Sequence, residues 1–207
     1  YKVGYAAAPQ RGFPPGINIA NQPTALYNAM LAPVIPYSIR GFIWYQGESN
    51  TGRPEEYKKL QPTMVADWRS KWNQGELPFL YVQLPNFMDA NYLPSESQWA
   101  TFRNAQLACL TIPNSAMAVS IDLGEWNDLH PDRKKDIGDR LALAARKLAY
   151  GEKIVYTGPI YQSQRIDGNK IIVSFDLAGS GLVSNNEEEL YYFSIAGADK
   201  KFVWAKA

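Results

Sequence analysis

The sequence predicts an α/β fold: a parallel sheet with helices on both faces, followed by an antiparallel β appendage. Three observations carry this reading. Phe42–Tyr45, Phe79–Leu84 and Ala116–Asp122 are short apolar runs that read as buried strands. Segments with helical spacing stand before, between and after them, and that alternation is what a parallel sheet requires. From about Ile154 the texture changes to short β runs separated by turn residues.

The elements follow in order. Asn21-Gln-Pro-Thr24 is a helix start with proline early in the first turn. Leu26, Met30, Leu31 and Val34 then lie on one helical face, and Pro36 ends the pattern. The first strand breaks into the polar knot Gln46-Gly-Glu-Ser-Asn50. Residues 55–73 place Tyr57, Leu60, Met64, Val65, Trp68 and Trp72 at amphipathic spacing, with Pro62 expected to kink or split the helix near Gln61. After the second strand, Ser95-Glu-Ser-Gln98 has capping-box spacing and opens a helix through about Leu110. The third strand ends on Asp122, and Ile137, Leu141, Ala144, Ala145 and Leu148 form the stripe of a last helix stopped by Gly151. Beyond it, Ile171–Phe175, Tyr191–Ile195 and Phe202–Trp204 are the β runs of the appendage. The expected division is therefore 1–153, α/β, and 154–207, the opening of a β-rich module.

Composition narrows the function classes. A formal net charge of +1 gives no reason to expect nucleic acid or an acidic membrane surface as partner. No apolar run approaches the ~20 residues that span a bilayer, and residues 1–20 lack a signal peptide's basic-then-apolar pattern. One histidine and one cysteine leave no cluster with metal-ligand spacing, so no metal or other cofactor is expected. Cys109 reads as a small buried residue in a helix. Residues 1–21 read as a loop, and the chain stops at Ala207 directly after a strand-like run; a fragment of a longer protein is expected.

Chemistry concentrates in two loops. A buried strand that delivers Gln46, Gly47, Glu48, Ser49 and Asn50 into the turn before a helix sits where open α/β sheets place their sites. The lone His130 lies in the loop after the third strand, with Asp122, Glu125 and Asp128 within eight residues of it. A carboxylate on one ring nitrogen would fix the tautomer and free the other nitrogen to take a proton. On these residues alone Ser49 is the natural nucleophile. Gly47-Glu-Ser-Asn-Thr-Gly52 nearly matches the Gly-x-Ser-x-Gly elbow, with its second glycine one place late. Phosphate-loop and dinucleotide-loop patterns are absent.

The run Ile39-Arg-Gly-Phe-Ile-Trp-Tyr-Gln-Gly-Glu-Ser-Asn50 resembles the hallmark of the sialate O-acetylesterase and acetylxylan esterase group of SGNH-type hydrolases. The resemblance continues through Tyr27–Pro33, Asp67-Trp-Arg69, Leu77-Pro-Phe79, Gln83-Leu-Pro85, Asp122-Leu-Gly124, Asp128-Leu-His-Pro131 and Gly138–Leu141. It implies a flavodoxin-like SGNH-type sheet, an extracytoplasmic setting, and a serine esterase that removes acetyl groups from O-acetylated carbohydrate. It implies His130 as general base, Asp128 or Glu125 as its orienting carboxylate, and Gln46, Gly47, Glu48 and Asn50 around the oxyanion and substrate. The family's nucleophile stands in a Gly-Gln-Ser-Asn motif that this sequence does not contain. On this reading the serine comes from outside the 207 residues, from a missing N-terminal segment of the same protein or from another chain, and Ser49 becomes a supporting residue. Two other readings stay open: an elbow-type hydrolase using Ser49, and a carbohydrate-binding remnant without turnover. Tyr45, Trp44, Trp99, Tyr92 and Trp126 are candidate sugar-stacking rings with core packing as the competing role; Tyr92 and Trp126, in loops, suit stacking best.

Overall fold

The computed structural model describes residues 22–184 and 189–207. The expected loop at 1–21 and the residue Asn21 of the first helix start lie outside them. The chain divides into two compact units between Ser38 and Ile39. In the first, the expected amphipathic helix is a π-helical turn, Tyr27–Leu31, running into a 3-10 turn, Ala32–Val34, and neither buries a residue. Among the described residues Leu26, Met30 and Val34 of the anticipated apolar stripe are exposed.

The second unit is built on a three-stranded parallel sheet, β1 (Phe42–Trp44), β2 (Phe79–Val82) and β3 (Ser115–Ala118), in the order β1-β2-β3. Phe42 pairs with Phe79, and Phe79 with Ser115, so the strands run level and end at one edge. All three are shorter than the apolar runs that announce them, because the last residues of each run peel away into the loops beyond.

Helices cover both faces. Helix α1 (Pro54–Trp72) begins with proline at its first turn, carries Glu55 and Glu56 there, and ends on Asn73 in the left-handed conformation. Helix α2 (Gln98–Ala108) and α3 (Lys134–Leu148) follow β2 and β3. Because side chains alternate along a strand, Phe79 and Tyr81 face one side while Leu80 and Val82 face the other. Phe79 stacks on Phe42, whose ring lies 5.3 Å from Trp68 and 5.1 Å from Trp72 of α1, and the Tyr81 hydroxyl donates to the Gln106 carbonyl of α2. On the opposite face Leu80, Val82, Ala116 and Ala118 pack with Ile137, Leu141 and Ala144 of α3.

Three expectations are corrected. Of the two effects expected of Pro62, a kink or a split, the split does not occur: α1 is continuous over 19 residues. Buried Tyr57 and Val65 on either side of the proline hold both halves to one core surface, and packing outweighs the lost helical bond. Leu60 is exposed, and Gln61 takes a buried position instead. The cap of α2 is Ser97, whose hydroxyl accepts from the Ala100 N–H, rather than Ser95 two residues earlier.

The appendage is antiparallel as expected, but differently portioned. A polar strand without a clear apolar pattern, β4 (Ile160–Asp167), pairs with β5 (Lys170–Asp176) across a tight Gly168-Asn169 turn. β6 (Ser194–Ile195) and β7 (Val203–Trp204) form a second, two-residue ladder, so only part of each run at 191–195 and 202–204 is strand.

Candidate active site

The segment that leaves β1 is hydrogen-bonded to the helices beneath it. The Gln46 carbonyl accepts from the Tyr57 hydroxyl at 3.3 Å and from Gln106 Nε2 at 3.4 Å. Gly47 is buried against α2: a Cβ there would stand 2.6 Å from Phe102 Cε1 and 3.3 Å from Gln106 Nε2, so only glycine fits. Its N–H donates to Glu48 Oε2 at 2.9 Å, and the Gln46 side-chain amide donates to Asn50 Oδ1 at 2.7 Å. Glu48–Asn50 form a 3-10 turn in which Ser49 is exposed. Ser49 is not among the residues with positive φ, and a 3-10 turn is not the strained strand-to-helix turn of a nucleophile elbow.

The loop after β3 presents His130 with its imidazole 84% exposed. Asp128 Oδ1 accepts from the His130 backbone N–H at 2.7 Å and lies 3.9 Å from Nδ1, an ion-pair separation too long for a hydrogen bond. The three neighbouring carboxylates have different tasks. Asp122 is held by two 2.7 Å bonds from Arg140, which keep its carboxyl below the usual range despite the opposing effect of partial burial. Glu125 accepts from the Asp132 N–H at 3.0 Å. Asp128 alone of the three approaches the imidazole.

Strand order brings the two loops together. Both leave the carboxyl edge of the sheet, two strand spacings apart, on the order of 10 Å. Lys134, four residues past His130, sets its Nζ 5.6 Å above the Tyr45 ring and donates to the Pro131 carbonyl. The loop after β2 lies between them and is joined to the His130 loop by the Met88 N–H to the Trp126 carbonyl at 2.9 Å. A cavity of about 570 Å³ lies elsewhere, beside β3 and residues 155–161, and none of the predicted site residues lines it.

The candidate stacking rings separate by burial. Trp99 is core, with its N–H on the Pro85 carbonyl and its ring 5.4 Å from Phe87. Trp44 stacks edge-on to Trp68, and Tyr45 packs against the α3 core cluster. Tyr92 and Trp126 are exposed. Cys109 is buried, and burial pushes its thiol up to about 11, so it stays an inert thiol. Among the described residues no group of three His, Cys, Asp or Glu side chains could hold a metal ion, and no helix is long and apolar enough to cross a membrane. Sequence reasoning passed over Tyr57 and Gln106. The available signal was a glutamine on the buried stripe of α2 that also carries Trp99, Phe102 and Ala105.

Residues 15–147 match the family model of carbohydrate esterases described as sialic acid-specific acetylesterases. The chain belongs to that family. Similar proteins include the mouse (Mus musculus) sialate O-acetylesterase, 34% identical over 154 residues, 66% of this chain and 28% of that protein. The human (Homo sapiens) sialate O-acetylesterase is 29% identical over 203 residues, 89% of this chain and 38% of its own length. A solved carbohydrate acetylesterase from Xanthomonas citri superposes with a TM-score of 0.82 at 42% identity, covering 89% of this chain and 43% of that one. This acetylesterase-family chain thus spans less than half of each of these relatives. Their likeness agrees with the SGNH-type parallel sheet and flanking helices described above.

Proposed function

We propose that the intact protein removes acetyl groups from O-acetylated carbohydrates, and that this chain supplies the base and the oxyanion wall of its site. The observation that carries the reading is the convergence, at one edge of a parallel sheet, of the Gln46–Asn50 turn and the His130 loop, in a chain of the acetylesterase family. His130, oriented by Asp128, takes the proton of a serine hydroxyl contributed from outside the 207 residues. The serine oxygen adds to the acetyl carbonyl. The resulting oxyanion receives the Gln46 side-chain N–H and the Gly47 backbone N–H, which here donate to Asn50 and Glu48. Each such donor is worth roughly 3–4 kcal/mol of transition-state stabilisation. Collapse expels the sugar oxygen, which takes the proton back from His130. Water then attacks the acetyl-serine with the same base, and acetate leaves.

The substrate class in this reading is an acetylated sialic acid or an acetylated xylan, with Trp126 and Tyr92 as stacking rings, and the setting is extracytoplasmic. Residues 1–153 form the C-terminal part of the esterase domain, and 154–207 open a β-rich module.

The test is His130→Ala in the full-length polypeptide, read as acetate release from O-acetylated sialic acid and from acetylated xylan. Loss of a general base lowers turnover about 10²–10⁴-fold with the circular dichroism spectrum unchanged. Wild-type turnover in that variant overturns the reading. Labelling of Ser49 by a serine-directed phosphonate would instead transfer the nucleophile role to it.

A further inference from the structure

The side chain of Gln106 is fully buried on α2, yet all its polar capacity is spent on the ends of two strands rather than on its own helix. Its Oε1 accepts from the Leu84 N–H at 2.8 Å, and its Nε2 donates to the Val82 carbonyl at 3.2 Å and the Gln46 carbonyl at 3.4 Å. The Tyr57 hydroxyl of α1 donates to the same Gln46 carbonyl. Phe102, 4.7 Å from the Tyr57 ring, closes the space beneath Gly47.

We infer that Gln106, with Tyr57, is a positioning residue for the oxyanion donor: the two clamp the Gln46 carbonyl inward and so aim the Gly47 N–H outward. The inference rests on the reading that Gly47 receives the oxyanion.

The geometry follows from the peptide unit. In a trans peptide the C=O and the following N–H point in opposite directions, and no cis bond occurs among the described residues. Two donors from the core side therefore fix the plane of the Gln46–Gly47 peptide. The N–H on its far side already meets an anionic oxygen, that of Glu48. The stretch carries no side chain at Gly47 that could fix the plane by packing. A preorganised donor costs no reorganisation when charge develops, and a peptide free to rock would lose that advantage. The clamp gives the buried Gln106 amide its partners in an otherwise apolar stripe, and a buried amide costs least when its bonds are made. Burial pushes the Tyr57 phenol up to about 12, so its hydroxyl remains a donor across the working pH range.

The experiment is steady-state hydrolysis of p-nitrophenyl acetate by the full-length protein carrying Gln106→Met, Tyr57→Phe, both, or His130→Ala. A group acting only on the transition state lowers kcat and leaves KM. Gln106→Met is expected to lower kcat roughly 10-fold to 100-fold, short of the 10²–10³ lost when a donor is removed outright, with KM within about twofold. Tyr57→Phe is expected to act in the same direction, and the double variant to lose less than the product of the two, because both act on one carbonyl. If Gln106→Met does not fold, Tyr57→Phe carries the test, as it removes one hydroxyl and keeps the ring. Wild-type kcat in folded Gln106→Met or Tyr57→Phe, with His130→Ala inactive, overturns the inference and leaves the proposed function standing. A fully active His130→Ala overturns the proposed function and the inference with it.

Discussion

A methyl group on Gly124 would lie 2.2 Å from the Asn86 carbonyl oxygen and 2.8 Å from the Pro85 Cβ. The obstacle is backbone, so the β2 and β3 loops must move apart to admit it. Gly124→Ala is expected to cost about 1–3 kcal/mol in urea unfolding, the usual range for overpacking. Gly138 makes the contrast. It sits inside α3 with nothing within 4 Å of a Cβ, so Gly138→Ala is expected to stabilise by about 0.5–1 kcal/mol through helix propensity alone. Both glycines belong to stretches that sequence reading marked as characteristic, but their spacing does not tell them apart. What separates them is whether another segment of backbone passes close by, and only the fold supplies that. The same holds at His130. Its candidacy was readable from its isolation among carboxylates, whereas the choice of Asp128 as nearest neighbour needed the loop's path, which commits Asp122 to Arg140 and Glu125 to Asp132.

The element that anchors the His130 loop is α3, through Arg140. Its guanidinium binds both Asp122 oxygens and the Val119 carbonyl, joining the end of β3 to the helix that follows. Arg140 holds the Asp122 carboxyl below its ordinary range. A group whose folded pKa is depressed adds stability above its unfolded pKa, and that contribution disappears as pH falls through the folded value. Asp122→Asn should therefore lower thermal stability at neutral pH, by about 1 kcal/mol or less for a pair this exposed. The gap should persist down to about pH 4, the unfolded carboxyl value, and close below it. An unchanged gap at low pH would mean the loss comes from packing. At this scale the three helices around the sheet were legible as existence and type, their boundaries less so, whereas the expected first helix is a π-helical turn followed by a 3-10 turn. Pro62 misleads because propensity is local, while Tyr57 and Val65 are held by a surface made of other elements. Strand β4 escaped because a hairpin with no buried face needs no apolar alternation; its register comes from the turn and from β5.

Across the second unit, protection should follow depth in the sheet. β2 is paired on both sides and buried at all four residues, while β6 and β7 share a ladder of two residue pairs. Amide hydrogen exchange is expected to be slowest at Leu80–Val82, and β6–β7 should exchange by local opening that leaves the sheet intact. Equal protection in both places would require the appendage and the sheet to unfold together. Ile43 on the outer face of β1 is exposed at 66%.

Residues alone determined the class of fold, the alternation of strands and helices, the two loops singled out as candidate sites, and the family resemblance that the comparisons bear out. Those properties are written in local pattern: apolar runs, helical spacing, a polar knot after a strand, one histidine near carboxylates. The tertiary structure decided which groups meet. It placed the Gln46 and His130 loops on one edge through parallel pairing, set Lys134 over Tyr45, and turned Gln106 from an anomaly in an apolar stripe into a clamp on the Gln46 carbonyl. Contacts across 60 positions of chain depend on strand order and helix packing, which no window of sequence contains.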